Sequence, residues 1–441
     1  MATRANSALE ESDRLAFLAD PLAWLAQVRR IRGPVFRLNA DGAVFSRLMG
    51  PCAVFAAFGE PAVRHVLTDG DAFKMPESAA GALNLPPRIA RLSRSLHSMG
   101  EPEHCHHKHA LGALLGTVAA DSELIDQVVE PMAVKWAQSR PQPLLARMRE
   151  LTQAIAQRVL LGPDADGSIV ANIHGFFVAR QEAASTPGHT NSGSRASLLA
   201  KGRRLDRLLR HNLVAGSGGS TFGRLCVPVE AEGFGLSADE AVGHLNIAIA
   251  SAIEPVAVAL TWTLLLLSQR ADLRSELRHD EAAINRLVLE SLRVLPPNAF
   301  MVRVTSRDVE LGGVLLPSAS EVILCPWLTH RDSEIFDAPE VLMPDRWKQA
   351  RPSPFEYFPF GAGHHGCVGR SLGMDLLRGA LNSLVRRFDV VLAGDQAIDW
   401  RVDILMMPRT EIQVRFAPAG AGGSTGGRWA GPVSELVNVG V

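Results

Sequence analysis

The chain has 441 residues, 47% hydrophobic and 21% charged, with 45 Lys plus Arg against 46 Asp plus Glu. Its length exceeds the roughly 250–300 residues at which one core usually splits, and its composition supplies a large core without staples, which excludes a wholly disordered chain. The near-zero charge excludes a global field for nucleic acid or anionic lipid, and five scattered cysteines (Cys52, Cys105, Cys226, Cys325, Cys367) do not form a secreted disulfide framework, which points to a reducing cytoplasm.

Residues 1–14 are polar and acidic, without the charged-then-apolar order of a signal peptide, and read as a loose tail. Pro21 to Arg30 has the spacing of a short amphipathic helix, and Pro34 to Leu38 and Ala43 to Leu48 alternate like strands before a turn at Gly50 and Pro51, giving a β-rich start over about 34–60. From about 61 to 295 the three-and-four spacing of apolar residues predicts helix almost throughout. Phe73 to Arg94, Ser185 to Ser197 and Ala215 to Gly223 read as mobile surface breaks, because they are rich in Pro, Gly or Ser.

Ser237 and Glu240 form a capping box in front of the most apolar run, Leu245 to Leu267. That run is long enough to cross a bilayer, but Asn246, Glu254 and Pro255 interrupt it, and a helix apolar on every side also suits the centre of a large soluble protein. Strand patterns return between Val302 and Val322, and Ile404 to Met407 with Glu411 to Phe416 reads as a strand pair. Residues 417–441 read as a Gly/Ala-rich tail, with 417–428 a flexible linker.

The stretch most specific for chemistry is Phe360-Gly-Ala-Gly-His-His-Gly-Cys-Val-Gly369, followed directly by a helical pattern. A cysteine just before a helix N-terminus feels the dipole and free N–H groups, which lower a thiol pKa and favour the thiolate. The glycines let backbone approach a flat, bulky partner. Phe360, Gly363, Cys367 and Gly369 match every fixed position of F-x-x-G-x-x-x-C-x-G, the haem-binding signature of the cytochrome P-450 superfamily, and the chain resembles its soluble bacterial type.

That resemblance implies a mainly α fold with small β-sheets, a triangular prism of helices around a buried haem b, as a single catalytic domain over 15–416. It makes Cys367 the axial iron ligand. Glu290 and Arg293 resemble the family's E-x-x-R pair, and Arg346 the third member of that charge cluster, all three scaffold. His104, Lys108, Arg303 and His365 become candidates for binding the propionates, since cationic donors suit carboxylates. A rival reading of His104, Cys105, His106, His107 and His109 is a metal cluster, but adjacent residues on a helix point apart and cannot all reach one ion.

The apolar run resembles the helix that crosses the haem, where the family carries an acid followed by Thr. Here the aligned residues are Glu254 and Pro255, so the acid is kept and the alcohol is gone. Proline there removes an N–H and crowds the Ser251 carbonyl, predicting a kink. Either water or Ser251 replaces the hydroxyl, or the substrate supplies it, or the chemistry is a radical coupling or ring closure. Family peroxygenases with Pro here place before it an Arg that binds a substrate carboxylate, a task Glu254 cannot perform.

The resemblance places the substrate pocket at Leu83, Leu85, Asn246, Ile249, Ala250 and Ile253, together with Asn298, Phe300, Met301 and Leu405. Most are apolar, so a mid-sized, largely apolar metabolite is the expected substrate. The expected function is an O2-activating haem-thiolate monooxygenase of specialised metabolism, a cytoplasmic and monomeric protein fed by a ferredoxin or flavodoxin with its reductase, without nucleic-acid or membrane partners. The alternatives are a peroxide-using enzyme and a non-catalytic haem-binding or recruiting protein.

Overall fold

The computed structural model describes residues 16–17, 19–39, 53–76, 85–118, 121–138, 140–162, 165–184, 192–215, 221–227, 233–402, 405–420 and 426–440. Helix α1 (Pro21–Arg32) starts at Asp20, whose carboxylate accepts from Ala23 N at 2.9 Å, with Pro21 at the first helical position. Strands β1 (Val35–Asn39) and β2 (Val54–Ala57) follow, then α2 (Glu60–Thr68) and β3 (Phe73–Lys74). The helical body comprises α3 (Glu103–Gly116), α4 (Ser122–Ala137), α5 (Leu144–Ala156) after β4 (Gln142–Pro143), α6 (Ser168–Ala184), α7 (Ser192–Ala215), α8 (Ala238–Ser268), α9 (Ala271–Leu277) and α10 (Glu281–Val294). Four strands come next: β5 (Met301–Thr305), β6 (Val309–Leu311), β7 (Val314–Leu316) and β8 (Glu321–Leu324). Helix α11 (Arg370–Arg387) leads into β9 (Phe388–Leu392), β10 (Gln396–Ala397), β11 (Trp400–Val402), β12 (Met406–Pro408), β13 (Gln413–Pro418), β14 (Trp429–Ala430) and α12 (Pro432–Leu436).

The capping box forms as the sequence predicts: Ser237 N donates to Glu240 Oε2 at 2.8 Å and Glu240 N to Ser237 Oγ at 3.3 Å. From it α8 runs without interruption through Pro255 and packs against α5, α7, α10, α11 and β9. It is the one helix among the described residues long and apolar enough to cross a membrane, and it lies within the protein core with Trp262 and Leu264 to Leu266 fully buried. Its residues answer the protein on all sides. Trp262 Nε1 donates to the Met406 carbonyl at 2.9 Å, and Thr263 Oγ1 to Ser291 Oγ of α10 at 2.7 Å.

The main sheet has the order β1-β2-β8-β5-β3, with β2 and β8 parallel and the other pairs antiparallel. Phe55, Phe73, Leu316, Val322 and Phe358 form a smaller core at this sheet. The mostly helical architecture with small sheets is the expected class.

Several local expectations are corrected. Ile404 and Ala43 to Leu48 lie outside the described residues, and the strand beside β1 is Val54–Ala57. The last two strands do not pair with each other: β12 joins β11, and β13 lies between β4 and β9. Alternation identified the strands but not their partners, which long-range packing sets. Phe73, Ile89 and Leu92, read as part of a mobile break, are buried at 1%, 2% and 0% exposure. The C-terminal segment is not a loose tail from 426 onward. There β14 pairs with β10, Val433 and Val437 are buried, and Arg331 Nη2 donates to the Leu436 carbonyl at 3.0 Å. Glycine content signalled a linker, but the apolar residues beyond it supply the anchor.

Candidate active site

The glycine loop is folded by its own backbone: Gly361 N donates to Phe358 O at 2.9 Å, Gly366 N to Gly363 O at 3.1 Å and Cys367 N to Phe360 O at 2.9 Å. Gly363 has φ of +65°, and a Cβ there would lie 2.0 Å from the Leu67 carbonyl at the end of α2, so no other residue fits. The Phe360 ring packs against Gly373 in α11, and the side chain of Met301 from β5 reaches over Gly361.

Cys367 is exposed, yet the dense protein around it pushes its thiol pKa up. The Gly369 N–H, Lys108 and Arg370 pull the other way without prevailing. The lowered pKa expected from the helix dipole is therefore not found in the protein alone: α11 begins at Arg370, three residues on, and burial outweighs the dipole. A bound metal cation would be the charge that holds the thiolate.

Beside the loop stands a group of basic side chains. Arg303 of β5 is 6% exposed, and its one hydrogen bond among the described residues runs from Nη1 to the adjacent Val302 carbonyl at 2.8 Å. Burial pushes its pKa down to about 10. His365 is pushed down to about 3 by burial and then by His104 and Arg303, and its ring centroid lies 4.3 Å from that of His104. His104 is also lowered, chiefly by burial, and His97, although its side chain reaches solvent, is lowered by the protein crowded around it and next by Arg303. The residues opposing this charge reduce, among the acids identified as causes, to Glu101 beside His104.

A buried guanidinium with no carboxylate partner among the described residues, near imidazoles whose charged form burial disfavours, is a donor set that two carboxylates would satisfy. The arrangement fits haem b, with Cys367 as the iron ligand and Arg303, His104, His365 and His97 toward the propionates. Lys108 is placed differently from the expectation, since its ammonium donates to the His364 carbonyl and braces the loop. His97 was missed because a lone histidine in Leu-His-Ser carries no signal until the fold brings it within the field of Arg303.

Along α8, Ile247, Ala248, Ala250, Ser251, Ala252, Glu254 and Pro255 are only partly buried or open, and Ile247, Ala250, Ser251, Glu254 and Pro255 share the three-and-four spacing of one stripe. Of the expected pocket residues on this helix, only Ala250 lies on it. Asn246 is fully buried and its Nδ2 donates to the Leu92 carbonyl at 2.7 Å; Ile249 and Ile253 belong to the core. Leu83 lies outside the described residues, and Leu85 packs against the core. Asn298, Phe300 and Met301 are partly open. Met406 N bonds the Pro297 carbonyl at 2.7 Å, which brings buried Leu405 toward that segment.

Glu254 has a partner that sequence reading missed: Arg149 of α5 grips it, with Nε at 2.9 and 3.0 Å from Oε1 and Oε2 and Nη2 on Oε1. An arginine on a half-buried helix has no sequence mark that distinguishes this role from a solvated one.

Away from the cleft, Glu290 is fully buried and accepts from Arg293 Nη2 at 2.8 Å, Arg293 Nε at 3.0 Å, Arg346 Nε at 3.0 Å, Trp347 Nε1 at 2.9 Å and Met343 N at 2.9 Å. The three charged residues meet, and every contact is internal to the fold.

The Cytochrome P450 family profile matches residues 229–416. Cyclooctatin synthase of Streptomyces melanosporofaciens is 28% identical over 306 residues, covering 62% of this chain and 67% of that protein. Cytochrome P450 3A30 of Fundulus heteroclitus is 30% identical over 148 residues, only 29% of its length. Among solved structures, a 6-coordinated cytochrome P450 from Thermus thermophilus superposes with a TM-score of 0.69 at 24% identity, covering 91% of this chain and 99% of that one. A retinoic acid-bound cyanobacterial cytochrome P450 gives 0.72 at 19% identity, covering 92% and 96%. Residues 229–416, which hold the signature loop set before α11, thus match the Cytochrome P450 family, and the chain has the cytochrome P450 fold along nearly its whole length.

Proposed function

We propose that the protein is a soluble cytoplasmic monooxygenase of specialised metabolism, oxidising a mid-sized, largely apolar metabolite with electrons from an external ferredoxin or flavodoxin. The observation that carries the substrate class is the segregation of charge. Basic donors gather at Arg303, His365, His104 and His97, while the open stripe of α8 offers Ile247, Ala250, Ser251 and Pro255, with its one acid held by Arg149. An apolar molecule with few polar handles suits such a wall. The cyanobacterial neighbour binds retinoic acid, and kinship with cyclooctatin synthase supports a biosynthetic role.

When bound, haem supplies oxygen activation at iron, assisted by electron donation from the thiolate. The chain's own part is to hold Cys367 at the base of α11, to keep basic donors at the cofactor's acidic edge and to exclude bulk water with α8. Proton supply differs from the family pattern. Pro255 has no hydroxyl, and Glu254 is spent on Arg149, so Ser251, one turn earlier on the same stripe, is the remaining side-chain hydroxyl there. This favours a substrate that supplies its own hydroxyl, or a coupling or ring closure.

The test is product formed per NADPH consumed, with surrogate redox partners and a substrate found by spectral screening, in wild type and Pro255→Thr. The proposed chemistry predicts flat coupling or a changed product pattern. A clean gain in coupling with an unchanged product would refute it, and absence of substrate-dependent NADPH consumption would favour a peroxide-driven or non-catalytic protein.

A further inference from the structure

We propose that Glu101, His104 and His364 form a binding site for a zinc-class divalent cation beside the haem-thiolate loop. One ligand atom from each residue lies within 4.8 Å of the other two. Glu101 Oε1 stands 3.1 Å from His104 Nδ1 and also contacts His364 Nε2, and the two imidazole centroids are 4.8 Å apart. Two histidine nitrogens and one carboxylate oxygen make a three-ligand zinc set, with a fourth position for water. The same carboxylate atom serves both rings, so the ligands already converge on one point.

The site joins distant parts of the chain. Glu101 and His104 are placed together by their spacing at the start of α3, whereas His364 comes from the loop three residues before Cys367. Of the histidine-rich run in α3, only His104 takes part; His107 turns inward, with Nδ1 2.7 Å from His244 Nε2. The position is reachable from solvent. Glu101 and His364 border a cleft of about 640 Å³, and His104 and His364 a second of about 440 Å³. The side chains of Glu101 and His364 are 49% and 42% exposed, while His104 at 2% supplies the fixed ligand.

Ligation through Nδ1 leaves the other ring N–H of His104 free to donate to a carboxylate, the usual arrangement of a metal-bound histidine, so cation and haem can be held together. A cation here ties the first turn of α3 to the cysteine loop, adding to the Lys108 bond to the His364 carbonyl.

The experiment is calorimetric titration of zinc sulfate into chelator-treated, haem-loaded protein, with melting temperature followed in parallel. The expected result is one Zn2+ per chain, binding at least tenfold weaker in His364→Ala and in Glu101→Gln, unchanged in His106→Ala, and a zinc-dependent rise in Tm that both weakened variants lose. Both substituted side chains are substantially exposed, so folding is not at risk. Absence of saturable binding in the wild type, undiminished affinity in either variant, or loss of binding in His106→Ala would overturn the assignment. None of these readouts depends on turnover, so the site and the proposed activity fail separately.

Discussion

Replacing Glu290 with Gln tests whether the buried charge cluster is the scaffold of the α10 region. The wild-type carboxylate, with no solvent exposure, accepts five hydrogen bonds, three of them from the guanidinium groups of Arg293 and Arg346. Gln retains the shape but removes the charge, and its NH2 must face donors where an acceptor stood. Arg293 is itself fully buried, so its charge is left uncompensated, although its Nη1 keeps the His330 and Pro339 carbonyls at 3.0 and 2.7 Å. Breaking a buried pair in this way costs about 3–5 kcal/mol. Against a typical total of about 5–15 kcal/mol, that is a large fraction of the stability. Urea unfolding followed by far-UV circular dichroism measures it, with the Soret band as a second probe because a bound cofactor breaks simple two-state behaviour. A loss below about 1 kcal/mol would refute the reasoning, since it would mean that Gln satisfies the same donors. Glu290→Leu combined with Arg293→Met should lose less than the sum of the single losses, because the double change removes both buried charges of the pair.

Cys367→Ala is expected to abolish the red-shifted Soret band of the reduced carbonyl complex; an unchanged spectrum would sink the assignment of the iron ligand. Burial first, and His107 second, depress the His244 pKa to about 4 from the usual 6.5. The unfolded chain therefore takes up this proton below pH 6.5 while the folded chain resists until about 4, so the contribution is intact above 6.5 and falls across that window by up to about 3 kcal/mol. Unfolding free energy measured against pH should show a shallower acid slope in His244→Gln, and an identical slope would contradict the reading. Truncation before Arg428 should lower the melting temperature, since each valine as buried as Val433 and Val437 contributes about 1.5–3 kcal/mol before the ordering of its segment is counted. An unchanged Tm would show the C-terminal segment to be dispensable.

The parts of this protein legible in its sequence are those whose signal is local. The capping box of α8 is written in Ser237 and Glu240, and the loop before α11 in its glycines, of which Gly363 leaves no room for a Cβ. Asn246, Ile249 and Ile253, expected at the pocket, are buried, and the sequence did not mark this because a helix apolar all round has no polar side to show its orientation. Asn246 looked like a substrate handle, but the Leu92 carbonyl it serves is 154 residues away. Arg149 and His97 were unreadable for a related reason: their importance lies in partners, Glu254 and Arg303, that only the fold brings to them.

Arg293 and Arg303 show why the function of a buried charge lies in its partners rather than its type. Both are arginines with 6% exposure or less, and burial makes both costly. Arg293 meets a carboxylate and three backbone carbonyls, so its charge is answered within the chain and it fastens α10 to residues 330–341. Among the described residues Arg303 meets one neighbouring carbonyl, and burial drags its pKa to about 10. Burying a cation without an answering charge costs stability, and the carboxylates of a bound haem are the answer proposed for Arg303. That the first of these arginines is answered by carboxylate within the fold, while the second stands with His365 beside the cysteine loop, is the contrast on which the proposed cofactor site rests.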